Sequence, residues 1–415
     1  MQKSLDVKLA RILADSSCRD FILADAKDAD MAYGLAAPGR SPEYHAGEAR
    51  FRTLEEYRQQ MREIVLQGLV DIMLMSASTN EILTIRERLF DNSPVTPAVR
   101  ANDTTDIWLA GGTGRYPSQP SLPFRTATID HIMCGHLDCK PEERSLGADL
   151  GLYSITFNND AQLDRQSLEA YKEFRLEAER KGFRHFLEVF DPNAPAEKPA
   201  DIGRFIADHI VRALAGVTSR GRPLFLKIPY HGPAAMEALA RYDPSLVVGI
   251  LGGAAGTTMD AFYMLWEAKK YGARVALYGR KINNAEHQLT FVKYLRAVAD
   301  DQILPAEAVR AYHNDLAKLG IRPHRSLEED LQRTQTATAY GATVPMSPSR
   351  AAPAASAPGR RSAHSTLTTK PPSPLGAESG KPTGQRPTEE EPDFRSMSPA
   401  EKARWNLERW KRILG

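Results

Sequence analysis

Eight short apolar stretches alternate with longer amphipathic segments through roughly the first 300 residues of the chain. The short stretches have the length of strands and end at glycine, proline or clustered polar residues, whereas the longer segments repeat apolar residues at helical spacing. The predicted strands are residues 20–25, 70–75, 95–102, 152–157, 185–190, 223–230, 246–251 and 274–278. This alternation predicts a parallel sheet, and eight such units fit a closed (β/α)8 TIM barrel over residues 1–330.

In a barrel of this kind, the residues that follow the strands converge on one face, where binding and catalytic groups collect. In this chain many of those residues are charged, carry amides or are glycine. The predicted mouth contains Asp25, Asp28, Ser76, Arg100, Asn102, Asn158, Glu188, Lys227, Gly252, Gly253, Gly256, Gly279 and Arg280. The acidic residues after the first strand suit a site that needs a carboxylate, although a solvated loop is an equal alternative.

The sixth predicted strand carries one lysine among apolar residues, in the run Pro-Leu-Phe-Leu-Lys-Ile-Pro-Tyr at residues 223–230. Apolar surroundings remove water from an ammonium group and so favour the neutral amine. A neutral amine attacks a carbonyl carbon and forms a Schiff base, which makes Lys227 a candidate catalytic residue. The alternative is a structural lysine whose stem lies along the strand end and whose ammonium group pairs with a carboxylate.

Two glycine-rich loops follow the seventh and eighth predicted strands, which is where barrels of this type frequently bind phosphate. The first loop reads Gly-Gly-Ala-Ala-Gly at residues 252–256, and the second begins with Gly279 and Arg280. Glycine lets backbone N–H groups approach an anion, and arginine adds positive charge. Either loop alone could be a tight turn, but two loops at the two expected places favour a phosphate site.

Residues 134–139 read Cys-Gly-His-Leu-Asp-Cys and place four potential metal ligands in one short segment. Structural zinc sites usually combine two separated ligand pairs, and the sequence offers no second pair. We therefore predict no metal site and no cofactor. The glycine-rich residues 111–116 lack the lysine and serine of a Walker phosphate loop and are predicted to form a turn.

These motifs together resemble the class I, Schiff-base aldolases related to deoxyribose-phosphate aldolase and archaeal-type fructose-bisphosphate aldolase, over residues 20–299. The segment Leu-Lys-Ile at 226–228, followed by Tyr230, resembles the lysine strand of that family. The glycine loops at 252–256 and 279–281 resemble its phosphate loops in order and spacing. The first strand, Ile-Leu-Ala-Asp at 22–25, and the third, Val-Arg-Ala-Asn at 99–102, are also similar, with Arg100 where the family usually has lysine.

The resemblance implies a carbon–carbon lyase that acts on a phosphorylated sugar without a metal. Lys227 would form the imine, and a second group would handle the proton of the substrate hydroxyl. The family often uses a tyrosine at the end of the fifth strand, where this chain has Phe190, and its first loop commonly reads Asp-His-Gly, which is absent here. The candidates for the proton-handling group are Glu188, Asp25, Asp28 and Tyr153.

Two other functions remain open at this point. The barrel could bind a phosphorylated metabolite without catalysis, as a module tethered to a partner by its C-terminal helix. It could also be another barrel enzyme, such as an isomerase, whose lysine pairs with a carboxylate.

The composition changes after the barrel. Proline, serine, alanine and related small residues dominate residues 331–396, which are predicted to be a disordered linker because they cannot bury enough apolar surface to fold. Residues 397–415 are predicted to form a short amphipathic helix with a proline-containing capping box at its start. We expect this helix either to dock onto a protein partner or compartment shell, or to fold back onto the barrel.

Bulk properties exclude several classes of protein. The net charge of +2 gives no whole-chain field for nucleic acid. Three cysteines suggest no disulfide framework, the N-terminus lacks a signal-peptide core, and no apolar run approaches the ~20 residues of a membrane span. We therefore expect a cytoplasmic protein. We also expect it to form a homo-oligomer.

Overall fold

The computed structural model describes residues 1–39, 51–108, 118–253 and 256–335, together with Ser398 and Trp405. The chain divides into two compact units, Met1–Pro348 and Ser349–Gly415. Nearly all of the predicted linker and terminal helix, and the glycine-rich turn at 111–116, lie outside the described residues, so their conformations and the docking function remain predictions. Among the described residues, no helix is both long enough and apolar enough to cross a bilayer.

Eight parallel strands form one sheet, and their order across it is Leu226–Lys227, Arg184–Phe190, Leu150–Thr156, Thr96–Arg100, Ile72–Met75, Ile22–Ala26, Val275–Tyr278 and Gly249–Leu251. A parallel bridge between Ile228 and Ile250 joins the two edge strands, so the sheet closes into a ring. This confirms the predicted (β/α)8 TIM barrel. The strands are β1 (Ile22–Ala26), β2 (Ile72–Met75), β3 (Thr96–Arg100), β4 (Leu150–Thr156), β5 (Arg184–Phe190), β6 (Leu226–Lys227), β7 (Gly249–Leu251) and β8 (Val275–Tyr278).

Helices cover the outside of the ring and one of its ends. In chain order they are α1 (Ser4–Ala14), α2 (Asp30–Tyr33), α3 (Leu54–Gln67), α4 (Ala77–Asn80), α5 (Thr105–Trp108), α6 (Ile129–Cys134), α7 (Ala161–Lys181), α8 (Ile202–Ala215), α9 (Pro233–Tyr242), α10 (Thr258–Lys270), α11 (Arg280–Asn283), α12 (Gln288–Ala299), α13 (Pro305–Lys318) and α14 (Leu327–Asp330). A π-helical turn, Glu81–Arg86, continues α4, and short 3-10 turns occupy Gly34–Ala36, Pro141–Glu143 and Ser219–Gly221. A small antiparallel hairpin pairs Asp103–Thr104 with Pro123–Phe124 between β3 and β4.

Side chains alternate between the lumen and the helix layer along each strand, because successive residues of a strand point to opposite faces. The lumen holds one apolar cluster that includes Ile22 and Ala24 of β1, Leu152 of β4 and Phe186 of β5, and α1 closes it with Leu5. The opposite face of each strand packs against the outer helices in a larger cluster. This alternation decides which polar residues near the strand ends reach the mouth.

Asp71, which directly precedes β2, ties three elements together at the amino-terminal end of the barrel. Its carboxylate contacts Lys8 of α1 at 2.8 Å and Arg296 of α12 at 3.2 Å. It also accepts a hydrogen bond of 2.8 Å from the backbone N–H of Leu23. Only 2% of Asp71 is exposed, so its buried charge depends on these two cations, of which Arg296 also pairs with Asp300.

The substitution Asp71→Ala should lower the free energy of unfolding by about 3 kcal/mol, because two largely buried cations lose a shared carboxylate, although Arg296 keeps Asp300 as a partner. Urea denaturation measures the change. The control is Asp20→Ala, which removes a partner of Arg11 at 3.3 Å in an exposed pair and should cost less than about 1 kcal/mol. Equal urea midpoints for the two variants would show that Asp71 does not hold this end of the barrel together.

Candidate active site

A row of three polar side chains crosses β4, β5 and β6 inside the lumen. Ser154 and Glu188 are register partners, as are Glu188 and Lys227, so all three point to the same side of the sheet. The Lys227 Nζ lies 2.6 Å from Glu188 Oε1, and Ser154 donates a 2.8 Å hydrogen bond to Glu188 Oε2. Only 1% of Glu188 and 8% of Lys227 are exposed. A carboxylate therefore faces the amine, rather than the purely apolar wall that the sequence suggested.

Lys227 opens into a cleft of about 530 Å³, open solvent included, at the carboxyl ends of the strands. The polar and glycine residues that line the cleft are Lys227, Asp28, Arg100, Gly252, Gly253, Gly279 and Arg280. The cleft thus brings together the predicted lysine, one predicted carboxylate and both predicted phosphate loops.

Asp28 and Arg100 form an ion pair across the cleft wall. The Arg100 guanidinium donates to Asp28 Oδ2 at 3.0 Å, and its Nε donates to the backbone carbonyl of Asn102 at 3.0 Å. The pair therefore joins the loop after β1 to the end of β3. It fixes the direction of a carboxylate that shares the cleft with Lys227.

The two glycine loops are shaped by close backbone packing. A Cβ on Gly252 would lie 2.1 Å from the ring of Tyr278, and one on Gly279 would lie 2.5 Å from the carbonyl oxygen of Ala26. Glycine is therefore required at both positions for the loops to sit as they do. Lys281 donates to the carbonyl of Gly256 at 2.6 Å, and burial lowers the pKa of Lys281 to about 8. Residues 254 and 255 of the first loop lie outside the described part of the chain.

Three other predicted residues are bonded to the scaffold and are not among the described residues that line the cleft. The Asn102 amide accepts from the backbone N–H of Ser154 at 2.6 Å and donates to its carbonyl at 2.8 Å. Asn158 donates to the carbonyl of Ser121 at 2.8 Å. Ser76 caps α4 and donates to Asp30 at 2.5 Å. These contacts indicate a role in holding strand ends in place.

Asp25 lies on the helix side of β1, outside the cleft. It is in register with Tyr278, which belongs to the outer cluster, and alternation directs both side chains away from the lumen. Its carboxylate is 3.6 Å from Lys27, whose ammonium group donates to Gln288 of α12 at 2.7 Å. Burial raises the pKa of Asp25 to about 6, although the positive charge of Lys27 opposes that rise. Of the two acidic residues predicted for the site near the end of β1, the structure brings only Asp28 into the cleft.

Tyr153 also faces outward. Its ring stacks on Phe174 of α7 at a centroid distance of 4.6 Å, and burial raises its pKa. Phe190 points inward and packs with Leu251, Ile107 and Ala32 beside the cleft. The position at the end of β5 that the resemblance associates with tyrosine is therefore part of an apolar wall in this chain.

Sequence reasoning missed Ser154 and a pair formed by His231 and Asp191. The ring Nε2 of His231 lies 2.7 Å from Asp191 Oδ1, just beyond the ends of β6 and β5. Ser154 could have been predicted, because it lies two residues after Leu152 in the same strand and so points to the same side of the sheet. The histidine pair had no comparable signal, since its two residues are 40 positions apart in the chain.

Comparison with solved structures finds similar folds in aldolases. No family model matches the chain, and no curated protein matches it. A fructose-bisphosphate aldolase from Slackia heliotrinireducens superposes with a TM-score of 0.54 at 13% identity, over 74% of this chain and 90% of that one. An archaeal fructose-1,6-bisphosphate aldolase, whose catalytic lysine is covalently bound to the carbinolamine intermediate of its substrate, gives 0.50 at 16%, over 71% and 99%. The predicted resemblance to Schiff-base aldolases is confirmed at the level of fold.

Replacement of Asp25 by asparagine should change how stability depends on pH. The folded state raises the pKa of Asp25 from 3.8 to about 6, so between these values the folded protein holds a proton that the unfolded chain releases. The contribution of Asp25 to stability is therefore complete below pH 4 and falls by up to about 3 kcal/mol as the pH rises through 6. Urea midpoints of both proteins from pH 4 to 7 should diverge over this window. Parallel curves would contradict the burial of a titrating carboxyl group at Asp25.

Proposed function

We propose that the protein is a class I aldolase-type carbon–carbon lyase that acts on a phosphorylated sugar through a Schiff base on Lys227. The observation that carries the proposal is the position of the Lys227 amine. It lies against Glu188 at 2.6 Å and opens into the same cleft as Gly252 and Gly279. An amine, a carboxylate and two glycine loops after β7 and β8 are the groups that imine chemistry on a phosphorylated carbonyl compound requires.

Imine formation begins when Glu188 accepts a proton from the Lys227 ammonium group. The neutral amine then forms a nitrogen–carbon bond with the substrate carbonyl, whose oxygen takes up protons and leaves as water. Ser154 supports this step because its 2.8 Å hydrogen bond keeps the other oxygen of Glu188 in place. A carboxylate that is fixed within hydrogen-bond distance of its proton donor suits general acid–base catalysis.

Cleavage follows from the positive charge on the protonated imine. The imine accepts the electron pair of the neighbouring carbon–carbon bond, and the hydroxyl group on the departing carbon loses its proton to a carboxylate. Asp28 is our candidate for this carboxylate because it lines the cleft and is oriented by Arg100 at 3.0 Å. Protonation of the enamine and addition of water then release the second product and restore Lys227.

The loops after β7 and β8 supply the phosphate site in this proposal. The backbone N–H of Gly252 is already bonded to the carbonyl of Leu277 at 2.8 Å. The contribution of Gly252 is therefore steric, because the absence of a side chain lets the loop pack closely against Tyr278. Arg280 lines the cleft, with its guanidinium 5.8 Å from the ring centroid of Tyr33. A cation beside glycine backbone favours a phosphate monoester at this end of the substrate.

The close contact between Lys227 and Glu188 also favours a second candidate function. A lysine that stays charged in a buried ion pair can bind a phosphorylated metabolite without forming an imine. The barrel would then be a binding module, or an isomerase in which the pair stabilises charge on the substrate. The two candidates differ in whether the positive charge of Lys227 is sufficient for function.

The substitutions Lys227→Arg and Lys227→Ala separate the two candidates. Arginine keeps the charge beside Glu188 but forms no Schiff base, so retro-aldol cleavage should fall by more than about a thousandfold in both variants. The assay screens phosphorylated ketoses and deoxy-sugars against their unphosphorylated counterparts. Lys270→Arg, a change at an exposed lysine of α10, is the matched control and should leave turnover unchanged.

Each alternative result has a defined meaning. Turnover of Lys227→Arg at the wild-type rate would contradict the Schiff base and support an electrostatic role. Binding of phosphorylated sugars by the wild-type protein without cleavage of any compound in the panel would support the binding module.

A further inference from the structure

Three metal-ligand side chains converge between α6 and β4, away from the cleft. The Sγ atoms of Cys134 and Cys139 and a carboxylate oxygen of Glu143 all lie within 4.8 Å of one another. Both cysteines are buried, with 5% and 7% exposed. Cys134 ends α6 and Glu143 ends the 3-10 turn Pro141–Glu143, so a single ten-residue segment supplies all three donors.

His136 lies beside this cluster, next to Glu143, and is positioned to supply a fourth donor. Its Nδ1 is 2.7 Å from the carbonyl oxygen of Leu137, and because a carbonyl only accepts, this ring nitrogen carries the hydrogen. In the neutral ring Nε2 then carries the lone pair, and it lies 3.5 Å from Glu143 Oε1. A histidine that donates its other ring N–H to a backbone carbonyl is the usual arrangement in metal sites. The side chain is 53% exposed, which leaves room for adjustment around an ion.

Other residues fix the donors in place. The second oxygen of Glu143 accepts the backbone N–H of Lys140 at 2.9 Å, which directs Oε1 towards His136. Asp130 accepts the backbone N–H of Asp138 at 3.2 Å and is itself held by Lys181 at 2.8 Å. The turn that returns Cys139 to Cys134 is thereby anchored to α6 and α7.

We propose that Cys134, His136, Cys139 and Glu143 bind one Zn²⁺ in a tetrahedral structural site. Two thiolates select a soft or borderline ion, and the imidazole and carboxylate complete a donor set that zinc accepts. Binding releases the two thiol protons. Four protein ligands leave no open position for a substrate, so the ion fastens the segment that leads into β4 rather than taking part in catalysis.

The sequence prediction of no metal site rested on the absence of a second separated ligand pair. The fold replaces that pair with His136 and Glu143 from the same segment. Sequence spacing alone did not indicate Glu143, because its contribution depends on the turn at 135–138 and on the 3-10 turn that follows.

Metal content is the first test. Full-length protein without a histidine tag, expressed with zinc and purified under reducing conditions, should contain about one equivalent of zinc per chain by mass spectrometry. The double variant Cys134→Ser with Cys139→Ser should fall below about a tenth of an equivalent, and Cys18→Ser should match the wild type. Glu143→Gln should weaken zinc affinity by at least the ~10–100-fold that the loss of a supporting partner costs. Cobalt in place of zinc should give thiolate charge-transfer and tetrahedral d–d bands.

Chelation is the second test and does not depend on the folding of a variant. A strong chelator should lower the melting temperature of the wild-type protein by more than about 5 °C, and zinc should restore it. Wild-type protein that stays metal-free after incubation with zinc would overturn the proposal. So would equal zinc content in the double variant, or a Cys134–Cys139 disulfide in protein that was isolated without oxygen.

Discussion

The contact between Lys227 and Glu188 is the interaction on which the candidate site depends. Both side chains are almost fully buried and lie 2.6 Å apart on neighbouring strands. A charged group removed from water is tolerated when a partner compensates it, and loss of one partner costs several kcal/mol. The burial of each charged side chain therefore depends on the other, and the hydrogen bond from Ser154 to Glu188 extends the row to a third strand. The same contact provides the proton acceptor that a lysine needs before it can attack a carbonyl.

Closure of the barrel sets the surroundings of this contact. Directly after Lys227, the backbone N–H of Ile228 bonds to the carbonyl of Gly249 at 3.0 Å, and Leu251 bonds back to Ile228 at 2.9 Å. This junction brings β7 beside β6 and so places Gly252 and Gly253 in the cleft that Lys227 enters. In an open sheet these strands would lie at opposite edges, and the lysine and the glycine loops would not meet. The proposed substrate register, with a carbonyl at Lys227 and a phosphate at the loops, follows from ring closure.

Much of the fold could be predicted from the sequence because apolar runs and polar strand ends carry strong local signals. Each of the eight predicted strands overlaps an observed strand. Within the predicted stretch 223–230, however, the observed strand covers only Leu226–Lys227. The site was harder to predict, since the direction of a side chain depends on alternation counted from an exact strand position. Asp25 and Asp28 look equivalent in the sequence, yet Asp25 turns to the helix side of β1 and Asp28 towards the cleft. The side-chain amide of Asn102 is hydrogen-bonded to the backbone of β4, and no sequence pattern predicted these two hydrogen bonds.

The most direct measurement is reductive trapping of the imine. The wild-type protein is incubated with individual phosphorylated ketoses and aldehydes, reduced with borohydride, digested and analysed by mass spectrometry. The account predicts a stable secondary amine on Lys227, formed with at least one carbonyl substrate that the protein also cleaves. Cleavage without any adduct on Lys227, or an adduct confined to another lysine, would contradict the central claim.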